Sequence, residues 1–379
     1  MQTHRRVSVL AALLLGARAA TPAVSRPSPC PTAAATAEPR YRAVIATAER
    51  LVCDSLLVRV PGMQIAVAID GKLVWSEAFG YADVEHHIPV TRTTLFRIGS
   101  VSKPLSAAAV ALLVEQGKLD LDAPVQRYVP SFPRKPWPIT TRELAGHLAG
   151  IRHYRGNEFA LNRHFASVTD GLVIFENDSL LFEPGTQFAY SSYGWNLVSA
   201  VVEGASGEPF LAYMSRYVLR PLGLDHTAPD RTDSLIPDRT WFYDADSTGT
   251  SFTLSPYVDN SYKWAGGGFL STAEDLVRFG SAFLKPGFVH QETLDLLFTS
   301  QRTRDGAPTG YGVGRWVSTD TLGHRWVYHG GGSVGGTTAF GMDRDSRIVV
   351  AITSNLTNAP LAPGRRIQRL FDEAVSGAR

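Results

Sequence analysis

Two cysteines, Cys30 and Cys53, are all that the 379 residues contain. That excludes a disulfide-dense scaffold and a cysteine-cluster metal site. Whether the two pair is open, because pairing needs Cα atoms within about 7 Å. No run of five cations occurs, and the net charge is only +2. Nucleic-acid and anionic-membrane surfaces need clustered positive charge, so neither partner is expected. No His-Glu-x-x-His occurs, and His86-His87, His147/His153 and His324/His329 lack zinc spacing. No metal is expected. Internal repeats at solenoid periods are also absent.

What is there suits a globular protein. Hydrophobic residues make up 44% and charged residues 19%, and the length suffices for one large domain with a sizeable core. The amino terminus reads as an address. His4, Arg5 and Arg6 precede an apolar run at 7–15, too short to span a bilayer comfortably, and Ala17-Arg18-Ala19 offers a small-x-small cleavage site. Residues 1–19 are therefore expected to be a signal peptide. A short membrane anchor reads from the same residues, and the arginine pair leaves a twin-arginine route open. Pro29 before Cys30 speaks against a lipid anchor. The expected location is periplasmic or secreted, with no stable membrane span after processing. Residues 20–39, rich in Ala, Pro, Thr and Ser, read as a flexible linker.

The folded domain is expected over 40–379, opening with a helix at about 41–57. Residues 63–69 and 73–79 are β-rich and flank Asp70-Gly71, a hairpin signal. Residues 102–117 are Ala- and Leu-rich and stop at Gly117, as a helix would. Helical patches and Pro/Gly loops fill 120–290. Strands return at 325–328, 337–341 and 347–353, and an amphipathic helix closes the chain at 365–376. The economical fold is α+β: one antiparallel sheet built from both termini, flanked by helices, with a mostly helical subdomain inserted. A cleft is expected at their junction.

Three motifs carry chemistry. Ser100-Val101-Ser102-Lys103 places a hydroxyl and an amine on one helix face. With the helix starting at Ser100, the hydroxyl meets the positive end of the dipole, and a neutral lysine can take its proton. From these residues alone, a capping serine beside a surface lysine reads as well. Pro104 removes one early helix bond, though the first turn tolerates proline best. Tyr190-Ser191-Ser192 precedes a helical run at 195–203. Its phenol can relay a proton if a nearby cation lowers its pKa; otherwise Tyr190 simply packs beside Tyr193. His329-Gly330-Gly331-Gly332 follows a strand, and its glycines either let a ligand approach backbone N–H groups or form a flexible turn.

In this order the motifs resemble the serine β-lactamases, D-alanyl-D-alanine peptidases and related esterases, whose signature is Ser-x-x-Lys, Tyr-x-Asn and a Lys-Thr-Gly-like strand. The spacings are similar to the AmpC-like, esterase-like branch. Residues 95–99, 147–151, 266–272 and Tyr311-Gly312-Val313-Gly314 share its look, and 146–154 resembles the lactamase-like serine proteases of mitochondria. The resemblance covers about 42–375. It implies Ser100 as nucleophile, with Lys103 and Tyr190 shuttling the proton. The N–H groups of Ser100 and Gly332 form an oxyanion hole, and Ser192, His329, Gly330 and Gly331 bind substrate or, for His329, support Tyr190. It implies no metal or organic cofactor. The substrate is a small molecule or peptide, cleaved at an ester or peptide-like amide, and oligomeric state stays open. Ser192 replaces the usual Asn and His329 the common Lys. Both departures argue against an efficient β-lactamase. A catalytically weak protein that recognises cell-wall peptides is the alternative.

Two other matches are set aside. Gly331-Gly332-Ser333-Val334-Gly335 has the form of a nucleophile elbow, but no histidine follows Ser333. Glu158-Phe159-Ala160-Leu161-Asn162 has the form of a deacylating loop but precedes Tyr190, so Glu158 is read as a solvated glutamate on a helix segment.

Overall fold

Asp70 and Gly71 take φ of 53° and 79°. That is the left-handed pair a tight hairpin turn needs. They join the strands Gly62–Ile69 and Lys72–Asp83 in antiparallel pairing. The computed structural model describes residues 36–249, 251–320, 323–361 and 364–376. The expected signal peptide, most of the expected linker and Cys30 lie outside these residues. Cys53 is disulfide-bonded. Thr36–Ala37, at the end of the expected linker, pair with Ser76 and Trp75.

The sheet is built from both ends of the chain, as expected. Gly62–Ile69 pairs directly with Ile348–Ser354. Beyond it lie Gly336–Asp343, Arg325–Ser333 and Trp316–Thr319, all antiparallel. The last of these had no clear sequence signal. Alternation splits the residues between two cores. Ile65, Val67, Ile69, Val350 and Ile352 pack under Arg42–Leu51 and Gly364–Ser376. Ala66, Ala68, Val349 and Ala351 face the helical part of the molecule. With both faces covered, Gly62–Ile69 is buried throughout, and its sequence is continuously apolar around Gln64.

The helix Ser102–Glu115 runs through that second core. It is apolar nearly all round, which suits a helix enclosed on every side. It begins at Ser102, where the Ala- and Leu-rich run begins; Ser100 lies one 3-10 turn earlier, in Gly99–Val101, and not at the α-helix start that the dipole argument supposed. The glycines after Tyr328 differ too. They continue the strand Arg325–Ser333 and do not form a turn.

Those glycines let the strand touch the serine turn. A Cβ on Gly331 would lie 2.0 Å from the Ile98 carbonyl oxygen, and one on Gly99 would lie 2.4 Å from the Gly332 oxygen. Gly99 also has φ of +49°. A side chain fits at neither position. Gly331→Ala should cost about 1–3 kcal/mol of stability. Gly330→Ala, where a Cβ meets nothing within 4 Å, should melt like the parent. Equal melting of the two variants would show that the contact is not tight.

Candidate active site

Ser100 lies in the 3-10 turn and Lys103 in the first turn of the helix, so both side chains point one way. Lys103 Nζ stands 2.9 Å from Ser100 Oγ, 3.0 Å from Ser192 Oγ and 2.7 Å from the Gly266 carbonyl oxygen. The side chain is fully buried. Burial first, and then the charge of Lys263, hold its pKa well below the ordinary lysine value. Lys103 Nζ donates to all three oxygens. Once unprotonated it keeps two N–H donors, for Gly266 and Ser192, and turns a lone pair to the Ser100 O–H.

Tyr190 comes immediately before the helix Ser192–Ser206. Ser191 caps that helix by accepting from Gly194 N–H, and its hydroxyl donates to the Arg152 carbonyl at 2.7 Å. Two histidines grip the same turn. Ser191 N–H donates to His147 Nδ1 at 3.1 Å, and Ser192 N–H donates to His153 Nδ1 at 3.2 Å. Both rings must therefore be unprotonated at Nδ1. Burial, and then Lys103, pushes His147 well below the usual imidazole value and His153 down to about 4. The His147 ring also lies 4.2 Å from that of Tyr190. Histidines placed this way bond to backbone, and no spacing in the sequence announces it.

The Tyr190 hydroxyl bonds to Ser100 and Ser192. Lys103 Nζ stands 4.8 Å from its ring centre. Burial nevertheless raises its pKa to about 12. The lowering by a nearby cation that the sequence invited is absent: Lys103 is itself held uncharged. Tyr190 is thus a neutral phenol at neutral pH, not a standing phenolate.

A cleft of about 220 Å³ is lined by Ser100, Ser192 and Gly332 together with His153, Tyr154, Phe159 and Lys263. The Gly331 contact brings the backbone of Gly332 against the Ser100 turn. His329, Gly330 and Gly331 do not line this cleft. His329 is 2% exposed. Its Nδ1–H donates to the Gly330 carbonyl at 2.6 Å, and its Nε2 accepts from Tyr311 O–H at 3.0 Å. Burial, and then Lys103, lower its pKa to about 3. His329 was expected to orient substrate or support Tyr190; its neutral, buried ring bonds to Tyr311, whose ring packs on His147. His329 and Gly330 border a separate hollow of about 870 Å³ beside Gly364–Ser376.

Glu158 is also corrected. It lies in a 3-10 segment, Gly156–Ala160, and takes both ends of the Arg152 guanidinium at 2.6 and 2.9 Å. Tyr193 O–H donates to it at 3.0 Å. It fastens the loop that carries His153 and Tyr154. Lys263, in the cleft wall, was missed: it belongs to no motif, and only the fold brings it beside Ser100.

A family model described as Beta-lactamase matches residues 49–373. Serine beta-lactamase-like protein LACTB, mitochondrial, of Homo sapiens is 36% identical, covering 64% of this chain and 59% of that protein. The chain thus spans less than two thirds of that relative. Beta-lactamase of Escherichia coli (strain K12) is 31% identical over 62% of this chain and 60% of its own length. Among solved structures, the octameric penicillin-binding protein homologue from Pyrococcus abyssi superposes with a TM-score of 0.75 at 26% identity, covering 88% of this chain and 77% of that one.

The neutral amine sets a direction for pH. Lys103 accepts a proton only while unprotonated, so Ser100 reactivity should fall as pH drops through the depressed Lys103 pKa and hold steady above it. The rate of Ser100 modification by a neutral fluorophosphonate across pH 4–10 measures this. An acid limb centred near 10.5, the unperturbed lysine value, would mean that Lys103 is an ordinary ammonium.

Proposed function

We propose that this chain, which belongs to the β-lactamase family of serine hydrolases, cleaves a peptide-like amide or an ester through an acyl-enzyme on Ser100. The observation that carries the reading is the buried amine of Lys103, 2.9 Å from the Ser100 hydroxyl with no carboxylate to hold a proton on it. The family's shared fold adds the order and placement of the three motifs.

The steps follow from the contacts. Ser100 Oγ attacks the acyl carbon while its proton passes to Lys103 Nζ. The carbonyl oxygen becomes an oxyanion, held by the backbone N–H groups of Ser100 and Gly332. The leaving group takes the proton from Lys103 by way of Tyr190, whose hydroxyl bonds to Ser100, and the acyl-oxygen bond to Ser100 remains. Water then attacks the acyl carbon, giving its proton along the same Tyr190–Lys103 path; the bond from that carbon to Ser100 Oγ breaks, Ser100 takes the proton back from Lys103, and the free acid leaves. Ser192 Oγ, 3.0 Å from Lys103 Nζ, orients the amine in place of the family's Asn.

A penicillin is a poor fit to this cleft. Where many relatives have a lysine, His329 is neutral and enclosed, so that position offers no charge to the carboxylate of a β-lactam. Peptidase or esterase activity is the reading favoured. Export is part of the proposal, supported by the amino-terminal address and by a disulfide at Cys53, which suits an oxidising compartment. Mature protein recovered from a periplasmic extract with its first 19 residues removed is the expected result; an intact leader in the cytosol would refute it.

Intact-mass analysis after fluorophosphonate treatment tests the chemistry. One adduct is expected, on Ser100 by peptide mapping, and none in folded Ser100→Ala. Tyr190→Phe and Lys103→Met should each slow labelling and ester turnover by about 10²–10⁴-fold, the usual worth of a positioned proton carrier. A folded parent that takes no label is a recognition protein and not a hydrolase.

A further inference from the structure

Lys263 has no part in the steps above, yet it borders the same cleft. Its Nζ donates to the Phe159 carbonyl at 3.1 Å. The ring centres of Phe159, Tyr262 and Tyr154 stand 4.8, 5.1 and 5.8 Å away. Aromatic faces attract an ammonium, but they do not fill its remaining N–H groups. The acid that bears on it, Asp230, is already held by Arg97 Nε at 2.6 Å and by Asn260 Nδ2 at 2.7 Å. An amine with donors to spare is thus enclosed beside Ser100, the nearby Asp230 being taken up by other partners. It is an unusual thing to bury, and the mechanism does not need it.

The rest of the cleft makes its charge matter. His153 in its lining, and Lys103, His147 and His329 buried behind it, all have pKa values lowered by burial, which disfavours their charged forms. Burial, followed by Arg97 and against Asp230, brings Lys263 itself down to about 7. An anion placed against it would draw a proton onto it and be paired in a setting with little water.

We propose that Lys263 is a specificity residue, seating a carboxylate carried by the substrate. The proposal rests on the hydrolase reading above. It moves the positive charge of the cleft from the strand position, where His329 has none, to the wall made by residues 260–267.

Three aryl esters distinguish the outcomes: p-nitrophenyl butyrate, which is neutral; mono-p-nitrophenyl glutarate, with a carboxylate on the acyl side; and 4-butyryloxybenzoate, with one on the leaving group. The parent should prefer one of the acidic esters over the neutral one, and the preferred ester tells which end of the substrate carries the carboxylate. In Lys263→Met that preference, as a ratio of kcat/KM, should fall about tenfold or more through KM, the worth of a charge-assisted hydrogen bond. Lys263→Gln, which keeps a donor without the charge, should fall in between and serves where the Met variant does not fold. A merely structural lysine would slow all three esters alike and leave the ratio unchanged, and that result overturns the proposal. So does a parent with no preference for either acid. Labelling of Ser100 by a neutral fluorophosphonate separates the two readings: label without selectivity leaves the hydrolase and removes Lys263, whereas no label removes both.

Discussion

A lysine amine kept uncharged at the start of a buried helix is the constraint around which this molecule is arranged. Taking an ammonium out of water is costly, and the group responds by losing its proton. Lys103 therefore needs enclosure on every side, with no charge beside it that would hold the proton on. The Ala-rich helix Ser102–Glu115 gives the enclosure, because small side chains let neighbouring elements close in all round. Gly266 supplies a carbonyl, Ser192 a hydroxyl and Ser100 the proton to be taken. These residues are 89 and 163 positions from Lys103 for Ser192 and Gly266, so the base exists only in the folded chain.

The second requirement is that a strand from the far end of the chain should lie against the nucleophile. A sheet assembled from both termini achieves it. Gly62–Ile69 accepts Ile348–Ser354 as its neighbour, and two hairpin steps further on Arg325–Ser333 reaches the Ser100 turn. Backbone meets backbone there, which is why Gly99 and Gly331 carry no side chain. The proposed oxyanion site and the seat of Lys103 thus depend on the same junction between sheet and helical subdomain.

Much of this was legible in the sequence. The Asp70-Gly71 turn, the Gly117 stop and the periodicity of the final helix each reflect local chemistry, and local chemistry is what a sequence displays. The order Ser100/Lys103, Tyr190/Ser192, His329/Gly331 marked the site because its members lie in short motifs. What stayed hidden depends on distant contacts. His147 and His153 look like stray histidines until Ser191 and Ser192 bring their N–H groups to them. Glu158 looks solvated until Arg152 closes on it. Lys263 has no motif, and its place in the cleft comes from packing by Tyr262 and Phe159. The partner of His329 stayed hidden in the same way: its motif position says nothing of Tyr311, 18 residues away, whose hydroxyl bonds its ring.

The choice of polar residues around the nucleophile follows from the same constraint. A carboxylate within a few ångströms of Lys103 would raise its pKa and restore the ammonium, ending its use as a base. The positions around it are accordingly filled by Ser192, Tyr154, Tyr190, His147, His153 and His329, which hydrogen-bond without bringing negative charge. The acid of the loop, Glu158, is neutralised by Arg152, and Asp230 by Arg97. Lys263 acts in the opposite sense, since a second amine makes protonation of Lys103 harder. On the proposed mechanism a carboxylate that settled against Lys103 would restore its proton and disable the base, so Lys263 is the amine of the cleft left to receive one.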